Sequence, residues 1–547
     1  MNKNELSSHL FCAKRLRGDV LSKGQLSFSL SSFNLSNANL PTANLSTASS
    51  SATNTAALNS SASNLASSNS ASQNSASSSL TPSNLSSTNL SELHSDNEAN
   101  SLLDSDDFGV EQDRLKFSMC APLRRLQQKT QVFPLDVKAA SRNRLTHSLE
   151  VAQYTRLIAF AIAKKCKHDD FVSILRPMTS CLYTAALMHD LGNPPFGHFG
   201  ESLIREWLKK TVENRHISSE IAIVEKDDLL TFNGNAQGLR LSFSIQDLNL
   251  TLGQYASVIK VPYTIKELLL GKGKGEAGNG IQGDFYSWSY ANAGVFLSEK
   301  VLLDAIREEC HRDTRHPFAT IIEYSDDLAY VLADLEDAFD RGLIDRYVIL
   351  KLCRQLDNYP ELSELSKYLS PTEIEKRFLV NKTEALFYLR DVISEFYIND
   401  IATAISQNLE QFIETGEPDF SGGNYPGVTA LKMLKTFEYQ AVYNHFEVQT
   451  LDLSGASYIR GLFEAYEHLL FESEDDFTLE LLGTGGNPFC KRIASRISRR
   501  HKEYYLKNKD KAIFSEMYLR IRLLVDYISG MTDTFAESEY KVLNGIH

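Results

Sequence analysis

At 547 residues with a formal net charge of −13, the chain is long enough for several domains and too acidic for a general nucleic-acid surface, which needs clustered Lys and Arg. Its seven cysteines are scattered and never form a CxxC pair, which argues against structural zinc and fits a reducing compartment. The longest purely apolar run, "LIAFAIA", is far too short to span a bilayer, and the basic N-terminal stretch "KRLRGDVLSKG" lacks the apolar segment of a secretory signal, so a cytoplasmic protein is expected.

From Ser27 to Asn100 the chain is mostly Ser, Asn, Leu, Ala and Thr, with few aromatics and no sustained helical or strand spacing. So little apolar area cannot offset the entropy of ordering, and the composition predicts a disordered tail over 1–108. Beyond it the pattern is helical. "THSLEVAQYTRLIAFAIAKKC" (146–166) presents Val151, Tyr154, Ile158 and Ile162 on one face and closes on lysines. "SCLYTAALMHDLG" (180–192) is apolar on most sides and should be buried. "RLSFSIQDLNLTL" (240–252) is the best case for strand alternation, and a weak one. "GKGKGEAGNGIQGD" (271–284) reads as a loop. "ATIIEYSDDLAYVLADLEDAFDRG" (319–342) aligns Leu328, Val331, Leu332, Leu335 and Phe339 and stops at Gly342. A basic amphipathic segment, "KRIASRISRRHKEYYLK" (491–507), lies among further helices. The pattern predicts an all-α fold, with a core over 109–360 and a helical C-terminal region over 361–547.

The chemistry concentrates in "ALMHDLGNPPFGHFGE" (186–201). His189 and Asp190 end a buried apolar helix, where an ionised carboxylate is costly unless paired or bound to metal. Imidazole and carboxylate together suit a divalent cation. A His-Asp dipeptide alone is common at helix ends; its surroundings give it weight. His147 opens the helix upstream. Asp326 lies on a long helix whose apolar stripe faces elsewhere, with Tyr330 and Asp334 following at i+4 and i+8. His198 and Glu201, at i and i+3, share a face and suit a histidine oriented by a carboxylate.

Together with "RRLQQKTQVFPL", "RNRLTHSLEV", "FNGNAQGLR", "EYSDDLAYVLADLEDA" and "YNHFEVQTLDLSGASYIRGL", in that order around it, this block resembles the HD-domain phosphohydrolases, and within them the dGTP triphosphohydrolases. The resemblance runs from about Arg124 into the C-terminal region. It implies one divalent ion (Mg²⁺, Mn²⁺ or Fe²⁺) on His147, His189, Asp190 and Asp326, and a catalytic His198–Glu201 pair. Arg144 and Lys260 would contact the triphosphate. Tyr330 would pack on the deoxyribose and Asp334 would bind its 3′-hydroxyl, while Gln131, Val132 and Asn235 would line the sugar and base end. The implied reaction releases a deoxynucleoside and intact triphosphate. The resemblance also implies a homo-oligomer, a hexamer in that family, with the C-terminal region completing the pocket and the oligomer contacts.

The chain departs from the family at Asn233, where Glu is usual, and at Val261, where an aromatic is usual. The family's second phosphate-binding lysine has Lys272 and Lys274 as its stand-ins. A triphosphohydrolase acting on dNTPs generally therefore stays open beside a dGTPase. So does a nucleotide-sensing or single-strand nucleic-acid-binding protein, to which the basic segment near 500 points. "LGNPPFGH" after the HD pair disfavours guanosine-tetraphosphate hydrolases and cyclic-dinucleotide phosphodiesterases, which carry other motifs there.

Overall fold

Helix α1 (Ser105–Ser118) begins already within the span read as tail. The computed structural model describes residues 105–134, 141–166, 171, 174–272, 290 and 292–546, all within one compact unit of the chain. The remainder of the predicted tail and loop residues 273–284 lie outside the described residues. Helix α2 (Arg144–Lys165) starts at a reciprocal cap. The Asn143 side chain accepts from the Thr146 N–H at 3.0 Å, and the Thr146 hydroxyl accepts from the Asn143 N–H at 3.0 Å. Its buried face carries Arg144 and His147 above Val151, Ile158 and Ile162, so the apolar stripe carries two polar side chains inward. Helix α3 (Leu175–Met188) packs along α2 and is buried on most sides, as its continuous apolar character requires.

Helices α4 (Gly197–Glu213) and α5 (Gly234–Arg240) follow. The stretch 240–252 is not a strand. Helix α5 runs into a π-helical turn, Leu241–Ile245, because Leu239, Leu241 and Ile245 all enter the main apolar core. Among the described residues there are no strands, only an isolated bridge between Thr130 and Asn143. Helix α6 (Pro317–Arg341) is framed by Pro317 in its first turn and by Gly342, at φ +77°, just past its end. Leu328, Val331, Leu332 and Leu335 are buried, and Phe339 packs partly buried against the same core. Helices α7 (Lys382–Gln407) and α8 (Pro426–Glu438) pack on each other and on α6. Helices α9 (Phe446–Tyr466), α10 (Glu516–Ser529) and α11 (Asp533–Leu543) build a second core with α4. Both cores draw residues from either side of position 360. The basic segment 491–507 forms two helices, Pro488–Arg496 and Arg499–Asn508, because buried Ile497 is extended (φ −64°, ψ 133°).

Buried ion pairs fasten α10 to the first half of the chain. Arg522 pairs with Asp228, both fully buried. The Arg240 guanidinium donates to both oxygens of Asp526 at 2.8 Å, to Glu299 at 3.1 Å and to the Tyr504 hydroxyl at 3.2 Å. Asp526 also accepts from the Gln237 amide at 2.9 Å. Asp526→Ala removes the bidentate partner of the buried Arg240 and leaves it Glu299 alone as a carboxylate, so it should cost about 3–5 kcal/mol of stability. Arg240→Met combined with Asp526→Leu and Glu299→Gln should cost less than the single change, because then no charge is left unpaired, whereas removing only Arg240 and Asp526 would strand Glu299. Denaturant unfolding of both variants is the measurement; a single change costing under about 1 kcal/mol would show that the pair is not a fastener.

Candidate metal centre and active-site cavity

The segment after α3 turns sharply, and two glycines allow it. A Cβ on Gly192 would sit 2.1 Å from the Gly238 backbone nitrogen, so only glycine lets this turn lie against α5. Phe196 and Gly197 are both left-handed (φ 62° and 58°), and a Cβ on Gly197 would lie 2.9 Å from an Arg144 guanidinium nitrogen. The Phe196 N–H donates to Asp533 at 3.1 Å, and the Thr130 N–H to the other oxygen of Asp533 at 2.9 Å. The start of α11 thus holds both the turn and the strand-like bridge beside it.

His189 follows α3 directly. Its Nδ1–H donates to the Ala186 carbonyl at 2.6 Å, which fixes the tautomer and leaves the Nε2 lone pair inward. Nε2 has no hydrogen-bond partner and lies 3.5 Å from Asp326 Oδ1 and 3.8 Å from Asp190 Oδ1. His147 Nε2 stands 3.0 Å from the same Asp326 oxygen, and Lys260 Nζ is 3.8 Å from Asp326 Oδ2. His147, His189 and Asp326 each offer a ligand atom, all within 4.8 Å of one another. Asp190 stands beside them with its oxygens engaged by Arg144 at 2.7 Å and by the Asn193 amide.

Burial pushes the His189 pKa down, but the charges of Asp190 and Asp326 outweigh it and raise the value. Burial pushes Asp326 up, and the charge of His189, the hydrogen bond from His147 and the Lys260 charge hold it well below the usual carboxylate range. Asp190 is likewise held at about 2, against burial, chiefly by Arg144. The centre thus keeps two ionised carboxylates beside its imidazoles, with Arg144 and Lys260 as their nearby cations. With an unpartnered imidazole nitrogen and carboxylates at its wall, its donor set fits a divalent cation of mixed N/O preference.

The centre opens into a cavity of about 560 Å³ whose wall holds every residue that the resemblance assigned to the site except Asp334; the stand-in Lys272 does not line it either. Arg144 and Lys260 bring positive charge to it. Tyr330, one helical turn from Asp326, reaches the same wall, as do Gln131, Val132 and Asn235. Gln131 Oε1 is buried without a partner. Asp334 stands behind the wall, 1% exposed, accepting from the hydroxyl of Tyr443, which does line the cavity.

His198 and Glu201 do not pair as their spacing suggested. Glu201 accepts from the Gly234 N–H at 3.0 Å and from Arg205 at 2.6 Å, while His198, exposed on the wall, makes no hydrogen bond among the described residues. The N-terminus of α5 outcompetes the imidazole because its N–H groups need an acceptor. Asn233 is likewise structural, capping α5 and donating to the Thr231 and Ala293 carbonyls at 3.0 and 2.8 Å. Lys272 lies 3.3 Å from Glu267, and Lys274 is outside the described residues. Sequence reasoning missed Tyr443, Val448 and Asp452. Their signal lies in "YNHFEVQTLDL", a block singled out with no residue assigned.

The HD domain family matches residues 144–231. The deoxyguanosinetriphosphate triphosphohydrolase of Serratia proteamaculans (strain 568) is 31% identical over 486 residues, covering 79% of this chain and 93% of that protein. The enzyme of the same name from Yersinia enterocolitica is 31% identical over 483 residues, again 79% and 93%. That from Enterobacter sp. (strain 638) is 31% identical over 486 residues, 80% and 94%.

Proposed function

The chain belongs to the deoxyguanosinetriphosphate triphosphohydrolase family of HD-domain hydrolases, and we propose that it cleaves dGTP to deoxyguanosine and inorganic triphosphate with the help of one divalent cation. One observation carries this: the His147–His189–Asp326 cluster opens on the same cavity wall as His198, Arg144, Lys260 and Tyr330. His147, His189 and Asp326, with Asp190 beside them, would hold the cation, which would supply Lewis-acid polarisation of a phosphate oxygen and a lower pKa for water. Arg144 and Lys260 hold and neutralise the triphosphate. Water adds to the α-phosphorus, the bond to the 5′-oxygen breaks, and the proton given up by water is balanced by one gained at that oxygen. His198, unencumbered on the wall, moves a proton at the 5′-oxygen. Glu201 sets the position of the first turn of α4, and thereby of His198, through Gly234.

Tyr330 packs on the deoxyribose, and Asp334 with the Tyr443 hydroxyl receives the 3′-hydroxyl. Asp452 supports a preference for guanine. It is half-buried on the wall with no partner among the described residues, and burial raises its pKa. Guanine alone among the four bases offers adjacent N1–H and N2–H donors, which a carboxylate accepts together. With Asn233 committed to a helix cap, discrimination falls to Asp452 and Gln131. No helix among the described residues is long and apolar enough to cross a membrane.

The test is turnover of each dNTP separately, with deoxynucleoside and triphosphate both quantified. dGTP is expected to be the best substrate. Asp452→Asn should narrow its lead over dATP by about ten- to a hundredfold, since the amide cannot accept both donors. Release of pyrophosphate or single phosphates would overturn the reaction assigned, and equal rates for all four dNTPs would favour the broader triphosphohydrolase.

A further inference from the structure

The most unusual polar group outside the metal centre is Glu438, the last residue of α8. It is 0% exposed, and neither carboxylate oxygen has a hydrogen-bond partner. The π-helical turn that follows, Tyr439–Tyr443, ends on the tyrosine whose hydroxyl donates to Asp334. Glu438 thus stands five residues before the phenol that donates to Asp334, and it feels the charge of Asp334. The second oxygen of Asp334, Oδ1, is buried and also lacks a partner.

Neither acid has a spare cation. Asp334 feels Tyr443 from the π turn, His147 from α2, Arg142 and, unfavourably, Asp337 on its own helix. Arg142 is already shared among Glu150 at 3.1 Å, Asp337 at 2.6 Å and Glu336. Glu438 feels the charge of Asp334 and that of Lys435. Lys435 is committed to Asp327 at 2.6 Å, with its ammonium 5.4 Å from the centre of the Tyr330 ring. Two ionised carboxylates buried with a single hydroxyl donor between them are not stable, and one proton resolves the conflict. Tyr443 donates to Asp334 and favours its charged form, so the proton belongs on Glu438.

We propose that Glu438 is a positioning residue that stays protonated, supplies the donor that Asp334 Oδ1 lacks, and so holds Asp334 and Tyr443 in the arrangement that receives the sugar 3′-hydroxyl. The sugar half of this statement rests on the function proposed above; the proton does not. The titration directions agree. Burial lifts Asp334 to about 7 against the pull of Tyr443, and burial, then the charge of Asp334, lift Glu438 well above its ordinary value.

Two measurements on the full chain with its divalent cation decide it. The infrared difference between wild type and Glu438→Gln, without nucleotide at neutral pH, should contain the carbonyl stretch of a buried protonated carboxyl. Asp334→Asn should keep that band, and its absence from wild type would overturn the proposal. In turnover, the wild-type preference for dGTP over the analogue lacking the 3′-hydroxyl should fall by about tenfold in Glu438→Leu and be rescued in Glu438→Gln, whose amide still donates. An unchanged preference in Glu438→Leu would overturn the positioning role. A wild type indifferent to the 3′-hydroxyl would instead sink the sugar assignment of Asp334, and the infrared result would still decide where the proton sits.

Discussion

Asp326→Ala is expected to abolish metal retention and turnover together. The Asp326 carboxylate is the common neighbour of the centre, 3.0 Å from His147 Nε2, 3.5 Å from His189 Nε2 and 3.8 Å from Lys260. Without it the centre keeps two imidazoles, an ammonium and the Asp190 carboxylate already paired with Arg144, and loses the carboxylate that both imidazoles face. Breaking such a buried set costs about 3–5 kcal/mol, roughly two to four decades of metal affinity. His189→Ala carries the same expectation. Asp190→Ala adds a second injury, because its Arg144 partner at 2.7 Å is left buried and unpaired. Elemental analysis of the dialysed variants beside dNTP turnover is the measurement. A metal-free Asp326→Ala protein that still turns over dGTP at the wild-type rate would end the metal reading.

The parts of this site legible in the sequence are those whose geometry is local. The i, i+4 relation of Asp326 to Tyr330 is a property of any helix, and the apolar stripe through Leu328 and Leu335 fixes which way that helix turns. Adjacent His189 and Asp190 need only the end of a buried helix to meet. Where position depends on distant approach, local pattern does not reach. Nothing near Glu201 announces that the Gly234 N–H, on another helix, takes its carboxylate. The i+8 row that carries Asp334 from Asp326 drifts round the helix, and Asp334 comes to rest behind Tyr443 rather than on the cavity wall. Asp526 and Asp533 tie the C-terminal helices to Arg240, Thr130 and Phe196 across long stretches of chain. The break at Ile497 and Ser498 is equally invisible to an amphipathic pattern, because the apolar character continues across two extended residues, the first of which the core buries.

His198→Ala is expected to separate chemistry from binding, losing on the order of 10²–10⁴ in kcat with little change in KM or metal content. The ring stands on the cavity wall with no hydrogen bond to hold it and no direct place among the clustered ligand atoms, so its removal leaves the metal centre's contacts in place. Its work is confined to the proton at the 5′-oxygen. Glu201 gives a contrasting expectation, because it acts on His198 only through the backbone. Glu201→Gln keeps a carbonyl to accept the Gly234 N–H and gives up the charge paired with Arg205 at 2.6 Å, so its loss in kcat should be much smaller. Glu201→Ala releases the contact between the first turn of α4 and the start of α5 and should approach the His198→Ala defect. Single-turnover rates of the three variants, with metal content measured alongside, order these effects. A His198→Ala enzyme with raised KM and intact kcat would make the imidazole a phosphate-binding group. A Glu201→Gln defect as deep as that of His198→Ala would show that the carboxylate charge itself takes part, in a closed state where the two side chains meet.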